Sequence, residues 1–418
     1  VAGDAAGNFV IVWRGASPDG TVEVVGKRYS AAGQPLTGDF RINTYTTGDQ
    51  KFADVASSAT GNFVVVWVSF GQDGPAYQIL GQRFSSSGAP LGGAFRVNPS
   101  TPAYPSHPSV ASDAAGNFVV VWNSDAYFGD AVVSAQRYST TGAPLGGLFQ
   151  VNTGAFALHS RPAVASDPNG NFVVAWTSYD DSSYSVAARR FSHTGQPLGG
   201  EFRANTYMLN GQSRPAVAAD AKGNFVIAWL SDTQGGFGGI FGQRYSATGA
   251  RVGAEFQVNI PTSGGVNDPA VSRSASGDFV VTWTGRDEDV NGVFARRFNS
   301  GGVRVGAEFR VNTYTASDQI ESKVALLGNG HIIATWKSVD QDHSFSGVYA
   351  QLYACGVGGD VDGNGSANVA DVFYLINALF AGGPAPPCSG DVDANGFVNV
   401  ADVFYLVNYL FAGGPAPL

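Results

Sequence analysis

The sequence predicts a mainly β protein, namely a seven-bladed β-propeller followed by a small helical module. Two observations predict the propeller. A strand motif recurs along the chain, and one of the seven tryptophans ends each copy: Trp13, Trp67, Trp122, Trp176, Trp229, Trp283 and Trp336. Successive tryptophans are 53 to 55 residues apart, a period that indicates a repeat architecture. A third observation predicts the module, because a duplicated Asp- and Asn-rich loop follows the last repeat.

The recurring motif has the features of a strand that is buried on both faces. In the second repeat it covers 61–67, with the sequence Gly-Asn-Phe-Val-Val-Val-Trp. Phe63 and Val65 point to one side of an extended chain, and Val64 and Val66 point to the other. Because both sides are apolar, both need cover. One repeat is too short to provide that cover, so we expect blades packed around an axis to bury the strand.

Each repeat divides into four strand-like segments. In 108–161, a strand of small residues leads through an Asp-Ala-Ala-Gly-Asn turn into the buried strand, and two further strands cover 132–139 and 148–152. The small residues of the first strand suit the place where blades converge. We therefore expect four antiparallel strands per blade and a propeller domain at 1–354.

The seventh repeat is incomplete. It ends after its third strand, at 351–354, and no strand precedes Val1 to replace the fourth. We therefore expect the last blade to lack its fourth strand and to have an open edge. Either upstream residues close this edge in a longer chain, or another molecule donates a strand to it.

Net charge and hydropathy argue against nucleic-acid binding and against a membrane-spanning segment. The 418 residues carry a net charge of −9, so the chain has no footprint for nucleic acid. It has no run of 18 apolar residues, so we expect no membrane span. The chain begins without Met and inside a repeat, which indicates either a removed signal sequence or absent upstream residues.

The two long loops of each repeat fall on the same face of the predicted propeller. This face carries aromatic residues, such as Tyr77, Tyr179 and Tyr184, and acidic runs, such as 287–289. The aromatic rings either stack on a carbohydrate ligand or pack the loops. The acidic runs either hold further Ca²⁺ ions or are simply solvated.

The repeat resembles a family of bacterial extracellular repeats that occur in large secreted proteins. The resemblance rests on its D-x-x-G-N-F-V-V-x-W and G-x-P-L-G-G-x-F-R-V-N elements and covers about 350 residues. It implies a secreted or cell-surface location but no particular activity.

The loop at 360–371 has the spacing of an EF-hand-type calcium site, and a second copy begins 31 residues later. Ca²⁺ prefers six to eight oxygen ligands, which this spacing provides. The last position of each loop is Asp instead of the usual Glu. We predict two bound Ca²⁺ ions. The seventh position of each loop, Ser366 or Phe397, would contribute its backbone carbonyl. The predicted ligands are Asp360, Asp362, Asn364, Ser366, Asn368 and Asp371 in the first loop, and Asp391, Asp393, Asn395, Phe397, Asn399 and Asp402 in the second.

Each loop leads directly into an apolar segment that predicts a helix, Val369–Ala381 and Val400–Ala412. A loop followed by a helix, twice, resembles a type I dockerin module, which we assign to 355–418. The resemblance implies attachment to a cohesin-like protein domain. The helices depart from that family, because apolar residues replace its usual charged and hydroxyl residues. We therefore predict either a cohesin-like partner or another copy of the chain, contacted through four aromatic residues: Phe373, Tyr374, Phe404 and Tyr405.

The two cysteines, Cys355 and Cys388, precede the two loops at similar offsets. A disulfide between them would stabilise a domain with little core of its own and would indicate an oxidising location. Two free thiols are the alternative.

The sequence shows no catalytic constellation. The five histidines share no repeat position, and no nucleophile–base or histidine–metal spacing is present. We therefore expect a non-catalytic extracellular binding and assembly protein, tethered or polymerised into filaments through its calcium-dependent tail. The alternative is a secreted polysaccharide-binding or polysaccharide-degrading enzyme component docked to a cohesin-type scaffold.

Overall fold

The computed structural model describes most of the chain. The described residues are 1–418 except 17–20, 73, 100–103, 126–130, 154–157, 181–182, 235, 237, 262–263, 288–289, 344, 355–358, 365, 384–385, 389, 391, 393–397 and 418. Cys355 and most of the second loop therefore lie outside the described residues, together with the predictions that concern them.

The β-strands form seven antiparallel sheets in which the strands follow one another in chain order, so the predicted seven-bladed propeller is confirmed. The first four blades consist of β1 (Ala2–Gly3), β2 (Phe9–Ala16), β3 (Val22–Tyr29) and β4 (Phe40–Arg41); β5 (Gln50–Ser57), β6 (Phe63–Gly71), β7 (Gly74–Phe84) and β8 (Phe95–Arg96); β9 (Tyr104–Ser112), β10 (Phe118–Asp125), β11 (Val132–Tyr138) and β12 (Phe149–Gln150); and β13 (His159–Ser166), β14 (Phe172–Asp180), β15 (Ser183–Phe191) and β16 (Phe202–Arg203). The last three consist of β17 (Gln212–Ala219), β18 (Phe225–Ser231), β19 (Gly239–Tyr245) and β20 (Arg251–Gln257); β21 (Val266–Arg273), β22 (Phe279–Asp287), β23 (Val290–Phe298) and β24 (Arg304–Arg310); and β25 (Gln319–Leu326), β26 (Ile332–Val339) and β27 (Ser346–Tyr353).

The first strands of neighbouring blades pack against one another and line the axis. The motif strand lies next to the first strand and is buried on both faces, as the sequence predicted. In blade two, for example, Val65, Val66 and Trp67 have no exposed surface. Apolar clusters join each motif strand to the blade before it and the blade after it. The repeated apolar motif therefore forms the core between blades.

A β-bulge interrupts the first strand of blades two to seven at the same place. In blade two, Val66 pairs with Asp54 and Val68 pairs with Lys51, so two residues of the first strand lie opposite the single residue Trp67. The equivalent tryptophan lies opposite the bulge in each of the other five blades. Bulges re-aim the side chains that they carry, so six side chains are turned away from the regular alternation.

Among the described residues, which exclude 355–358, the seventh blade has three strands, in the order β25, β26 and β27, the number that the sequence predicted. Apolar packing joins blade seven to blade one, because Phe9 and Ile11 share a buried cluster with Leu327 and Ile333. A strand that pairs with the outer edge of β27, supplied either by upstream residues or by another molecule, stays a prediction.

Two helices follow the propeller, α1 (Val369–Phe380) and α2 (Val400–Ala412). The predicted bounds agree with these, except that α1 ends one residue earlier. The helices pack around a small core: Val361, Val372, Leu375, Val392, Val403 and Leu406. This module contacts the propeller, since the Arg297 guanidinium donates to the carbonyl of Pro387 over 3.4 Å and Cys388 packs in one cluster with Phe309 and Tyr353. Within the described residues, no helix is long and apolar enough to cross a membrane.

Candidate functional site

The six bulges place six side chains, of five residue types, around the propeller axis. We call this set the axial ring: Phe52, His107, Arg161, Arg214, Asp268 and Glu321, one from each of blades two to seven. Each lies 15 residues before the tryptophan of its blade. All six backbones have a positive φ, between 47° and 58°, which is uncommon for residues other than glycine. Since the same conformation recurs in every bulge, the fold sets the backbone, and the side chain is what changes from blade to blade.

Neighbouring members of the ring touch or act on one another. The Phe52 ring stacks on the His107 imidazole with 4.4 Å between ring centroids. On the other side of the ring, the Arg214 guanidinium forms an ion pair with the Asp268 carboxylate, and both side chains are about 30% exposed or less. The backbone N–H of Arg214 also donates to Thr177 Oγ1 of the preceding blade over 3.1 Å. This hydrogen bond links the bulge of blade five to the motif strand of blade four.

The ring is electrostatically divided, with cations in blades four and five and acids in blades six and seven. Burial and the charges of Arg161, Arg214 and Lys51 lower the pKa of His107 to about 4, so its imidazole is neutral at neutral pH. One of its nitrogens, Nδ1, lies 3.2 Å from Ser106 Oγ, which leaves Nε2 available to a ligand. Loss of solvent and the charge of Arg214 lower the pKa of Arg161, while Asp268 opposes that effect.

Aromatic residues surround this end of the propeller, at the start of the first strands and in the loops that the sequence analysis identified. The Nζ atom of Lys51 lies 4.4 Å from the centre of the Tyr77 ring and 5.6 Å from that of Phe52. Tyr179 and Tyr184 are exposed and meet edge to face, with their ring centres 5.1 Å apart. These exposed rings can stack on the flat faces of sugar rings.

The sequence analysis missed the axial ring. It compared what the repeats share, whereas the ring occupies a position where they differ. A signal was present, because proline follows the ring residue in four repeats: Pro108, Pro162, Pro215 and Pro269. Proline within a strand marks a bulge or an edge, since it cannot donate to the ladder.

The first loop of the tail brings its predicted carboxylates together. Oxygens of Asp360, Asp362 and Asp371 lie within 4.8 Å of one another, and the first and last of these residues are buried. Carboxylates this close repel one another unless a cation or protons compensate their charge. The donor set fits Ca²⁺, which prefers hard oxygen ligands.

The remaining ligand candidates of the first loop have contacts within the loop. The Asn364 amide donates to Asp362 Oδ2 over 2.8 Å, and the Asn368 amide donates to the carbonyl of Ser366 over 2.9 Å. Asn368 Oδ1 accepts from the backbone N–H of Ala370, so this residue also caps α1.

The described part of the second loop repeats the first. Asp402 Oδ1 accepts from Val392 N and its Oδ2 accepts from Asn399 N, both over 2.8 Å. Asp371 is bonded in the same way in the first loop. The other predicted ligands of the second loop, Asp391, Asp393, Asn395 and Phe397, lie outside the described residues. Two bound Ca²⁺ ions therefore stay a prediction.

The two helices expose matching rows of apolar side chains. Phe373 is 64% exposed and Phe404 is 68% exposed, whereas Tyr374 and Tyr405 are half-buried against the module core. The rows continue with residues that the sequence analysis did not single out: Val369, Ile376 and Phe380 on α1, and Val400, Val407 and Phe411 on α2.

Near the loops, Cys388 is buried and is not a free thiol. Since Cys355 lies outside the described residues, their pairing stays a prediction.

Comparison with known proteins shows the fold and no family. No protein-family description matches the chain, and no curated protein matches its sequence. Among solved structures, the polysaccharide lyase Uly1 is 9% identical, with 83% of this chain and 88% of that chain covered and a TM-score of 0.51. A protein of unknown function from Dyadobacter fermentans is 11% identical over 72% and 94%, with a TM-score of 0.50. The α-L-arabinofuranosidase arb93a from Fusarium graminearum is 9% identical over 72% and 92%, with a TM-score of 0.47.

The likeness to the polysaccharide lyase Uly1 corrects one expectation of the sequence analysis. We expected no enzyme, and that expectation was wrong, because the chain has a fold on which a polysaccharide lyase is built. The physical reason is that the sequence analysis searched for catalytic spacings along the chain, whereas the axial residues belong to six different blades and come together only in the fold. The repeats are alike in their cores, but their axial residues differ in charge and chemistry. At these identities the likeness shows the fold alone, so any activity has to be argued from the residues of this chain.

Proposed function

We propose that this chain is a secreted protein that binds and degrades a polysaccharide at the axial ring. The observation that carries the proposal is the set of six side chains, of five residue types, at one repeated, bulged backbone position. The core of each blade needs the same apolar residues, so those positions stay alike. The axial position varies while its backbone is held, and unusual backbone conformations are characteristic of functional sites.

The surroundings of the ring support a carbohydrate ligand. Phe52 is 44% exposed and forms one wall with the His107 imidazole. The exposed Tyr179 and Tyr184 lie at the same end of their blade, beyond the bulge. Aromatic faces with a few polar groups between them are typical of sites that hold sugars. A polysaccharide lyase with the same fold supports this choice of substrate class.

We propose that the tail holds this protein to a protein partner and that Ca²⁺ stabilises it. Asp360, Asp362 and Asp371 would hold one ion, which would supply the positive charge that their clustered carboxylates lack. The apolar rows of the two helices would contact the partner, because such large exposed apolar side chains mark interaction surfaces. The partner is a cohesin-like domain or another copy of the chain.

The test of the catalytic proposal uses the full chain with acidic polymers (polygalacturonate, alginate and hyaluronan) and neutral ones (arabinan, galactan and xylan). Release of reducing ends is the readout. We expect cleavage of at least one polymer. Phe52→Ala should reduce the cleavage rate by about tenfold, which corresponds to a rise of roughly 1.4 kcal/mol in the activation free energy. Arg41→Ala, on the outer strand of blade one, is the control and should leave the rate unchanged. Cleavage of no polymer, or equal rates for both variants, would contradict the proposal.

The test of the tail is sedimentation of the full chain with Ca²⁺ and with chelator. If the partner is a second copy, large particles form with Ca²⁺ and shrink in chelator, and Phe373→Ser with Phe404→Ser prevents their formation. A monomer under both conditions leaves the cohesin-like partner. Failure of the double variant to weaken either kind of binding would contradict the proposed surface.

A further inference from the structure

One cation of the axial ring forms no ion pair with an acidic side chain that the structure describes. Arg214 is paired with Asp268, and Lys51 lies 3.5 Å from Asp49. Arg161 lies between His107 and Arg214 in the ring and is exposed, and no ion pair links it to an acid in the described part of the chain. An exposed guanidinium beside a second arginine attracts anions, and its planar donors match a carboxylate in two parallel bonds.

The same ring contains an uncharged base next to that cation. The charges of Arg161, Arg214 and Lys51 disfavour protonation of the His107 imidazole. Nδ1 is engaged with Ser106 Oγ, and Nε2 remains for a substrate proton. The stacked Phe52 ring fixes the plane of the imidazole. A base that stays unprotonated beside a carboxylate-binding arginine suits removal of a proton from the carbon next to a carboxylate.

We propose, on the basis of the function proposed above, that the substrate is a uronate-containing polysaccharide, that Arg161 binds the uronate carboxylate, and that His107 is the base of a β-elimination. His107 Nε2 takes the proton from C5 of the uronate. The electrons of the C5–H bond form the C4–C5 double bond, and the bond from C4 to the glycosidic oxygen breaks. The oxygen leaves with that electron pair and takes up a proton, and the imidazolium returns its proton to water. The products are a new chain end and an unsaturated uronate, with no oxidant or reductant required.

Elimination fits the ring better than hydrolysis does. Glycoside hydrolysis needs two carboxyl groups across the bond, and in the acid catalyst a proton must be in place. Asp268 is already committed to the guanidinium of Arg214. Glu321 is then the one remaining acid of the ring, whereas elimination needs only the base and the cation.

The experiment measures two products from the same digest of the full chain, reducing ends and the ultraviolet absorbance of the conjugated double bond. Polygalacturonate, alginate and hyaluronan are the substrates, and galactan is the uncharged counterpart. We expect both signals to rise together on an acidic polymer and neither to rise on galactan. Reducing ends without absorbance would overturn elimination and leave the proposed function standing. Cleavage of galactan alone would overturn the acidic substrate, and absence of both signals with every polymer would overturn both proposals.

Variants separate the roles of the two residues. His107→Gln should lower the elimination rate by about 10²-fold or more, the usual contribution of a positioned base, while binding of the acidic polymer persists. Arg161→Ala should weaken binding, and Arg161→Lys should restore part of it because the positive charge returns. Arg41→Ala is the matched control in the outer strand of blade one. Normal elimination by His107→Gln, or equal binding by Arg161→Ala and Arg41→Ala, would overturn the assignment.

Discussion

The ring of Phe52 stacks on the imidazole of His107 with 4.4 Å between the ring centroids, although the two residues belong to different blades. The contact buries one face of the imidazole. Burial is the largest cause that lowers the pKa of His107 to about 4, and the charges of Arg161, Arg214 and Lys51 add to it. The stack therefore joins an aromatic surface to a base that stays neutral under mildly acidic conditions.

The first prediction concerns the titration of this imidazole. Nuclear magnetic resonance of the full chain should show His107 titrating near pH 4 instead of its ordinary 6.5. In the unfolded chain the imidazole has its ordinary pKa of 6.5, so the unfolded chain binds the proton more readily than the folded chain does. The free energy of unfolding should therefore decrease as the pH falls from 6.5 towards 4. The rate of polymer cleavage should likewise stay level down to about pH 5 and fall only through the pKa of about 4.

Two variants test the cause of that low value. Arg161→Ala removes a nearby positive charge and should raise the pKa of His107, whereas Arg41→Ala should not change it. A titration midpoint of about 6.5 in the unaltered chain would show that the imidazole is solvated and contradict the stacked arrangement.

The second prediction concerns the ion pair between Arg214 and Asp268. Asp268→Asn should strengthen the binding of acidic polymers, because it releases the guanidinium that Asp268 now holds. Stability should fall by no more than about 1 kcal/mol, since both side chains are partly exposed to solvent. Binding of polygalacturonate by calorimetry measures the first effect, and urea unfolding measures the second.

The control for this variant is Asp39→Asn, which breaks an exposed ion pair with Lys27 in blade one. It should change neither binding nor stability appreciably. If Asp268→Asn weakens polymer binding instead, the carboxylate itself contacts the substrate and the proposed division of the ring is wrong.

The propeller could be predicted from the sequence because its determinants are local and repeated. The apolar strand that ends at Trp67 occurs in seven copies, and comparison of the repeats in the sequence shows that the last one lacks the segment of the fourth strand. The axial ring could not be predicted in this way. Its side chains meet only after strands pair with a bulge, and His107 and Arg161 are 54 residues apart in the chain.

In the tail, too, the sequence could not predict features that depend on how the elements pack. The sequence identified helices that are too apolar to be covered by each other, but not which side stays uncovered. That depends on how Val372 and Leu375 enter the module core. As a result Tyr374 is half-buried, whereas Ile376 and Phe380 are exposed.

The third prediction concerns the tryptophan opposite each bulge. Trp67 Nε1 donates to Gln50 Oε1 over 3.0 Å, and Trp229 and Trp336 have equivalent bonds in blades five and seven. Gln50→Leu would leave a buried N–H without an acceptor, which costs about 1–3 kcal/mol. Urea unfolding followed by tryptophan fluorescence should show this loss. Gln34→Leu, at an exposed turn, is the control, and equal midpoints for the two variants would argue against the bond.

The fourth prediction separates metal binding from local structure in the first loop of the tail. Asp371 accepts backbone N–H groups from Val361, Asp362 and Asn368 over 2.7, 3.0 and 2.8 Å. Asp371→Asn should therefore destabilise the tail by about 1–3 kcal/mol even in chelator, because a carboxamide replaces one accepting oxygen with a donor.

Asp362→Asn should behave in the opposite way in chelator. Asp362 is less buried than Asp360 and Asp371, and its charge adds to theirs within the 4.8 Å cluster. Removing it relieves like-charge repulsion, so the tail should keep or gain stability without metal. With Ca²⁺ present, the same change removes a charged ligand and should weaken binding on the order of tenfold, equivalent to about 1.4 kcal/mol. Calorimetric titration with Ca²⁺ and thermal unfolding in chelator measure the two effects. If Asp362→Asn destabilises the tail in chelator and leaves Ca²⁺ binding unchanged, the cluster is a structural turn and not a metal site.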